Sequence, residues 1–225
     1  TRIDAVGARA AVRQALGDAD ETTRQAAIHS VSVRRDPEAA PALVKLLRSP
    51  SLPNRRASAE ALGRIGDKSA VPPLLAALAE PADRALEHSL TYALIEIADP
   101  HGTAAGLKSD NARVRQAASV ALDQMDGGGL KPETVTRQFV STDERLKEAA
   151  WWIVGRHPEW VGAVTGFLRD RLSAAEKLSP AGQQELVHHL TRFSRGGPVQ
   201  QLLAERLADP SAGDNAHRIA LRAMA

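Results

Sequence analysis

Cysteine is absent from the 225-residue chain, and that one absence removes a disulfide framework, a thiolate metal site and a cysteine nucleophile together. It leaves the redox compartment open. Aromatic residues make up only 3% of the sequence, too few to fill a thick compact core. No run approaches the roughly 18 consecutive apolar residues of a membrane-crossing helix, and no charged segment followed by an apolar one opens the chain as a secretion signal would. This segment is therefore not expected to insert into a membrane. An excess of one charge is missing too: the formal net charge is +2, with the first 126 residues balanced and the remainder carrying the surplus. Neither part is the basic block that nucleic-acid or anionic-membrane binding usually shows.

What is present, 43% hydrophobic and 25% charged residues, excludes disorder across the chain. The length allows one large or two ordinary domains. The first residue is Thr, and the final run NAHRIALRAMA reads as a helix that simply stops; both features are those expected of a segment of a longer polypeptide.

Self-similarity decides the fold class. From Arg24, small or apolar residues recur two, three, six and seven places on (Ala26, Ala27, Ser30, Val31), with Asp36 twelve places on. From Arg55 the series is Ala57, Ser58, Ala61, Leu62, Ile65 and Asp67; from Glu87 it is Ser89, Leu90, Ala93, Leu94, Ile97 and Asp99. Arg115 begins a fourth copy (Ala117, Ala118, Ala121, Leu122, Met125), with Asp126 one place early, and Lys147 a fifth (Ala149, Ala150, Ile153, Val154). The starts lie 31, 32, 28 and 32 residues apart. A period near 30 is that of a helical-hairpin solenoid, and these offsets share one helical face. Each such B helix follows an A helix with its own apolar period, such as Ala40, Leu43, Leu46 and Leu47, or Val71, Leu74, Leu75 and Leu78. Residues 2–16 supply an A helix for the first unit, whereas residues 100–111 are Gly-rich and short enough for only a turn or two. Asp36, Asp67 and Asp99 fall where a carboxylate can accept from the free N–H groups of the next helix.

These units resemble HEAT repeats, in particular the short bacterial kind called phycobilisome-lyase HEAT-like repeats. APALVKLLRSPSLPNRRASAEALGRIGD and AVPPLLAALAEPADRALEHSLTYALIEIAD carry the resemblance, with the Arg and Asp of the B helix and its end, and it is strongest over residues 21–128. The fold expected is an all-α, right-handed α-α superhelix, a HEAT-like solenoid of about seven helical hairpins. Residues 1–128 would form regular repeats, and residues 129–225 divergent repeats that continue the same solenoid, with a bend at Gly127, Gly128 and Gly129.

Arg24, Arg55 and Arg115 recur once per unit and would form a row. A phosphate track is one reading; pairing with the Asp36, Asp67, Asp99 series between neighbouring units, as HEAT repeats commonly do, is the preferred one, and Glu87 interrupts the track. All three tryptophans, Trp151, Trp152 and Trp160, lie within ten residues beside Arg156 and His157. Adjacent helical residues point about 100° apart, so Trp151 and Trp152 cannot share one core seam, and one of them is expected at a groove or partner surface. HEAT-like proteins resembling alkyl-purine DNA glycosylases use Trp, Arg and a catalytic Asp on damaged DNA, but the neighbouring acids here are Glu148 and Glu159. ELVHH places Glu185 with His188 and His189 at metal-compatible spacing, yet a di-iron site needs a second such motif and none exists, so both histidines read as partly exposed helix residues. HExxH, GxSxG and GxxxxGK[ST] are all missing.

The resulting expectation is a non-enzymatic scaffold or protein-interaction module, without catalytic residues, cofactor or metal, whose partner is a protein. The candidate partner-binding residues are Arg56, Arg64, Tyr92, Trp152 and Arg156. Nucleic acid is the less favoured partner. A resemblance to phycobilin lyases implies a tetrapyrrole role, for which this sequence offers no cysteine. The HEAT units with the tail LKEAAWWIVGRHPEWVGAVTGFLRDRL are also similar to the middle of large bacterial membrane-bound-dehydrogenase-like proteins, which implies a spacer segment in a larger redox enzyme.

Overall fold

The computed structural model describes residues 6–225; residues 2–5 of the expected first helix lie outside them. Among the described residues every regular element is helical, with fourteen α-helices and six short 3-10 turns. In chain order the α-helices form seven A/B pairs: α1 (Val6–Ala15) and α2 (Glu21–Val33), α3 (Ala40–Leu46) and α4 (Leu52–Ile65), α5 (Val71–Ala79) and α6 (Arg84–Ile97), α7 (Pro100–Ala104) and α8 (Ala112–Gln124). Then come α9 (Pro132–Thr136) and α10 (Glu144–Val154), α11 (Val161–Ser173) and α12 (Pro180–Phe193), α13 (Gly197–Ala208) and α14 (Asp214–Met224).

Two compact units are present among the described residues, one of residues 6–131 and 140–150, the other of residues 132–139 and 151–225. In the first, each A helix packs on the B helix that follows it, and the B helices stack in series, α2 on α4, α4 on α6, α6 on α8. That is an all-α solenoid. The A helix α7 spans five residues and runs into a 3-10 turn over Ala105–Lys108, as its glycines dictate, and α5 contacts both α7 and α8. In the second unit α11 packs on α12, α13 on α14, α11 on α13 and α12 on α14.

The repeating offsets are the buried stripe. Ser89, Leu90, Ala93, Leu94 and Ile97 are all buried, as are Ala117, Ala118, Ala121, Leu122 and Met125, and Ala149, Ala150, Ile153 and Val154. The first copy departs at Ala26, which is exposed while Ala27 and Val31 are buried. Small side chains along the stripe let B helices approach closely, and the α4–α6 seam is the most extensive. There a Cβ on Gly63 would lie 3.0 Å from Ala93 Cα and 2.5 Å from a Glu96 carboxylate oxygen, so hydrogen is the only side chain that fits.

Each B helix but the last is opened by a polar side chain. Asp20, Ser51, Asp83, Asn111, Asp143 and Ser179 accept from the N–H of Thr23, Asn54, Leu86, Arg113, Leu146 and Gly182 at 2.7–3.3 Å, satisfying donors that a helix start leaves open. Asp36 and Asp67 do the same for the 3-10 turns that lead into α3 and α5, accepting from Glu38 and Ser69. Asp99 makes no such bond.

In a helix interior, Gly→Ala ordinarily stabilises by about 0.5–1 kcal/mol. Gly166→Ala, in α11 with nothing within 4 Å of the added methyl, is expected to raise the thermal midpoint. Gly63→Ala is expected to lower it, by about 1–3 kcal/mol of stability, because the neighbour is backbone that cannot yield. Melting curves of the two variants check the opposite signs.

Candidate functional site

The row of B-helix arginines is spent on the backbone. Arg24 donates to the carbonyls of Asp18 and Ala19 at 2.7 and 2.9 Å, Arg115 to that of Ser109 at 2.6 Å, and Arg55 to Leu47 at 2.9 Å and Pro81 at 3.4 Å. Each guanidinium thus closes the turn between its own A and B helices, where carbonyls lack helical partners. Arg24 also reaches the next repeat: with its amide oxygen facing the guanidinium, fully buried Asn54 accepts from Nε and Nη2 at 3.2 and 3.3 Å. The expected pairing of this row with the aspartate series is therefore corrected. Asp36 is held instead by Arg13 of α1 at 2.8 Å.

A second register emerges from the same repeat. The positions five and nine places after each start are His29 and Val33, Glu60 and Arg64, Tyr92 and Glu96, Val120 and Gln124, Trp152 and Arg156. All are exposed except Val120, which is partly so. Four of the five candidate residues stand in this register; Arg56, one place after its start, is partly buried on α4 outside it. The offsets at three, six and seven places stay Ala, Ser, Leu, Ile or Val in all five copies, whereas these exposed offsets change from one unit to the next. They include Val33, Tyr92 and Trp152, three of the exposed large hydrophobic residues. Arg64, Tyr92, Trp152 and Arg156 are expected individually from the sequence; the register that unites them is set by the repeat starts.

In the first unit this register forms a groove between α4 and α6 of about 180 Å³, lined by Glu60, Arg64, His88, Ser89, Tyr92 and Glu96. Tyr92 is 48% exposed and lies parallel to the His88 ring one helical turn earlier, with centroids 6.2 Å apart. Ser89 donates to a Glu60 carboxylate oxygen at 3.3 Å, and Arg64 reaches across to α2, donating to Ser32 Oγ at 3.2 Å. The next groove, of about 230 Å³ between α6 and α8, is lined by Arg84, Glu87, His88, Arg113 and Gln116 among others. There the Glu87 carboxylate stands 3.8 Å from both Arg113 and Arg145.

In the second unit the two adjacent tryptophans part company. Trp151 is 4% exposed and sits in a stack, with Phe139 on one side and His189 on the other, each centroid 3.6 Å away. Phe167 meets it edge-on and Phe193 lies tilted 6.0 Å away, so all three phenylalanines of the chain gather on one indole. Trp152 is 41% exposed, with the Arg156 guanidinium 4.7 Å above its ring. Beyond it His157 stacks on Trp160 at 4.0 Å and pairs with Glu159 at 2.6 Å, a bond that holds the Glu159 carboxyl below its ordinary value.

The reading of both ELVHH histidines as partly exposed is corrected for His189, which is 9% exposed; His188 is exposed. Aromatic burial was the missing signal, since His189 occupies a stripe position of α12. Burial depresses its pKa from 6.5 to about 4, opposed by Glu185 3.7 Å away and reinforced by His188 and Arg192. From the facing helix α11, Arg171 lines the same small cavity. Among the described residues no group of three or more His, Asp or Glu side chains stands where it could hold one metal ion.

Helix hairpins stacked in series define the class, a helical-repeat protein. Residues 7–95 match the HEAT repeats family. No curated protein matches it. Among solved structures it is similar to an engineered protein, at 18% identity over 96% of this chain and 95% of that one with a TM-score of 0.41. It is also similar to the CpcE–CpcF complex of phycocyanin lyase from Nostoc, at 22% identity over 98% and 82% with a TM-score of 0.43, and to a designed armadillo repeat protein in complex with a peptide, at 14% identity over 95% and 97% with a TM-score of 0.37.

His189 is neutral in the fold, so the unfolded chain takes up its proton first. Stability is expected to be full above about pH 6.5, to fall as the pH drops towards 4, and to level off below, a loss on the order of 2–3 kcal/mol. His189→Phe keeps the stack and removes this titration. Urea unfolding at pH 7, 5.5 and 4.5 should show the variant losing less stability than the parent on acidification.

Proposed function

We propose that this chain is a non-enzymatic protein-interaction module that reads its partner with the exposed register of its B helices. The observation that carries the reading is the division of labour within the repeat: the offsets at three, six and seven places stay small or apolar, while the five-and-nine offsets present His, Val, Glu, Arg, Tyr, Gln and Trp. A surface that varies on an invariant frame is what stacked repeats offer an extended partner. Exposed Tyr92 and the Trp152–Arg156 pair are residue types favoured as interface anchors. Arg64, Tyr92, Trp152 and Arg156 are the proposed contact residues. Arg56, partly buried on α4, is the fifth.

The nucleic-acid alternative needs a row of cations free for phosphates. Arg24, Arg55 and Arg115 have backbone carbonyls instead, which favours the protein partner.

The test is an affinity capture from lysate with the tagged chain, divided between nuclease and buffer, beside Tyr92→Ala and Trp152→Ala. Proteins retained after nuclease and weakened at least about tenfold by either substitution are the expected result. Loss of all captured material on nuclease treatment would transfer the reading to nucleic acid.

A further inference from the structure

We propose that the α4–α6 groove is a receptor for a basic side chain, arginine above all, of an extended peptide segment. The inference rests on the protein-interaction reading and names what that surface takes at this point.

The groove is lined by two carboxylates, Glu60 on α4 beside Ser89 and Glu96 on α6 beside Gly63. Glu60 is held in place, accepting from Ser89 of the opposite helix at 3.3 Å. A Glu96 oxygen lies where only the missing Cβ of Gly63 allows it, 2.5 Å from the position that atom would take. Neither has an ion-pair partner among the described residues. The nearest candidate, Arg64, stands one turn after Glu60 but is committed to Ser32 of α2. The first 126 residues carry no net charge, so this negative site is local.

Beside the carboxylates the half-exposed Tyr92 ring is held by its stacking on His88. An aromatic face next to unpaired carboxylates is the surrounding that a cation seeks, through the ring quadrupole and through Coulomb attraction. A guanidinium fits better than an ammonium, because its planar fork can engage one carboxylate with two N–H groups while its face lies on the ring. A metal ion is less suited, since two carboxylates on separate helices fall short of the three or more ligands such an ion needs.

The test is an NMR titration of the full isotope-labelled chain with the capped tripeptide Gly-Arg-Gly and with its citrulline counterpart, which keeps the shape and loses the charge. The arginine peptide is expected to shift backbone amides of residues 60–65 and 88–97, with the citrulline peptide at least about fivefold weaker. Glu60→Gln with Glu96→Gln, and separately Tyr92→Leu, are each expected to weaken the arginine peptide by about fivefold, while Glu96→Gln alone, the mildest change, gives a smaller loss. No shift with arginine, equal shifts with citrulline, or an affinity untouched by the paired Glu→Gln variant would overturn the proposal. Nuclease-resistant, Tyr92-dependent capture of proteins together with silence towards the arginine peptide would discard this inference and leave the interaction reading standing; absence of both would discard both.

Discussion

The close approach of neighbouring B helices is the constraint on which the rest depends. Helices that meet across Ala, Ser and Gly come nearer than helices that meet across Leu, and at the α4–α6 seam the limit is reached where Gly63 lies under Ala93 and Glu96. That nearness buries the stripe with few aromatic residues. It also brings polar groups of successive repeats within hydrogen-bonding distance, as in Ser89 with Glu60 and Arg64 with Ser32. The groove chemistry is thus a product of the packing beneath it. Widening the seam by one methyl group would disturb both.

The arginine one turn into three of the B helices, α2, α4 and α8, solves a separate problem. A hairpin of two short helices exposes carbonyls at its turn, and their partners must come from somewhere. A guanidinium planted one turn into the B helix reaches back to them. Arg55 goes further and spans from Leu47 of its own repeat to Pro81 in the turn between α5 and α6 of the next. The residue that seems best suited for gripping phosphates is consumed in holding the array together.

Much of this was legible in the sequence, because a period near 30 residues repeats the same physics several times over. The pairing of helices, the buried stripe, the abbreviated α7 and the separation of Trp151 from Trp152 all follow from local spacing. What spacing cannot supply is the identity of contacts made between repeats. The offset from Arg55 to Leu47 is readable as a distance in the chain, but nothing in it distinguishes a carbonyl from the aspartates of the next unit. His189 was misjudged for a related reason: its neighbours Phe139 and Trp151 lie 50 and 38 residues away, and only the fold stacks them. The exposed register at five and nine places is present in the sequence as columns across the repeats, which no single residue reveals.

The aromatic residues are also distributed so that the two compact units carry different optical reporters. All three tryptophans, each in a distinct surrounding, belong to the second unit, and the single tyrosine of the chain belongs to the first. Indole emission therefore follows the second unit alone, with one fluorophore sandwiched between rings, one under a guanidinium and one against an imidazole. Phenol absorbance follows the first unit from inside its groove. The protein distinguishes its own halves spectroscopically without any label.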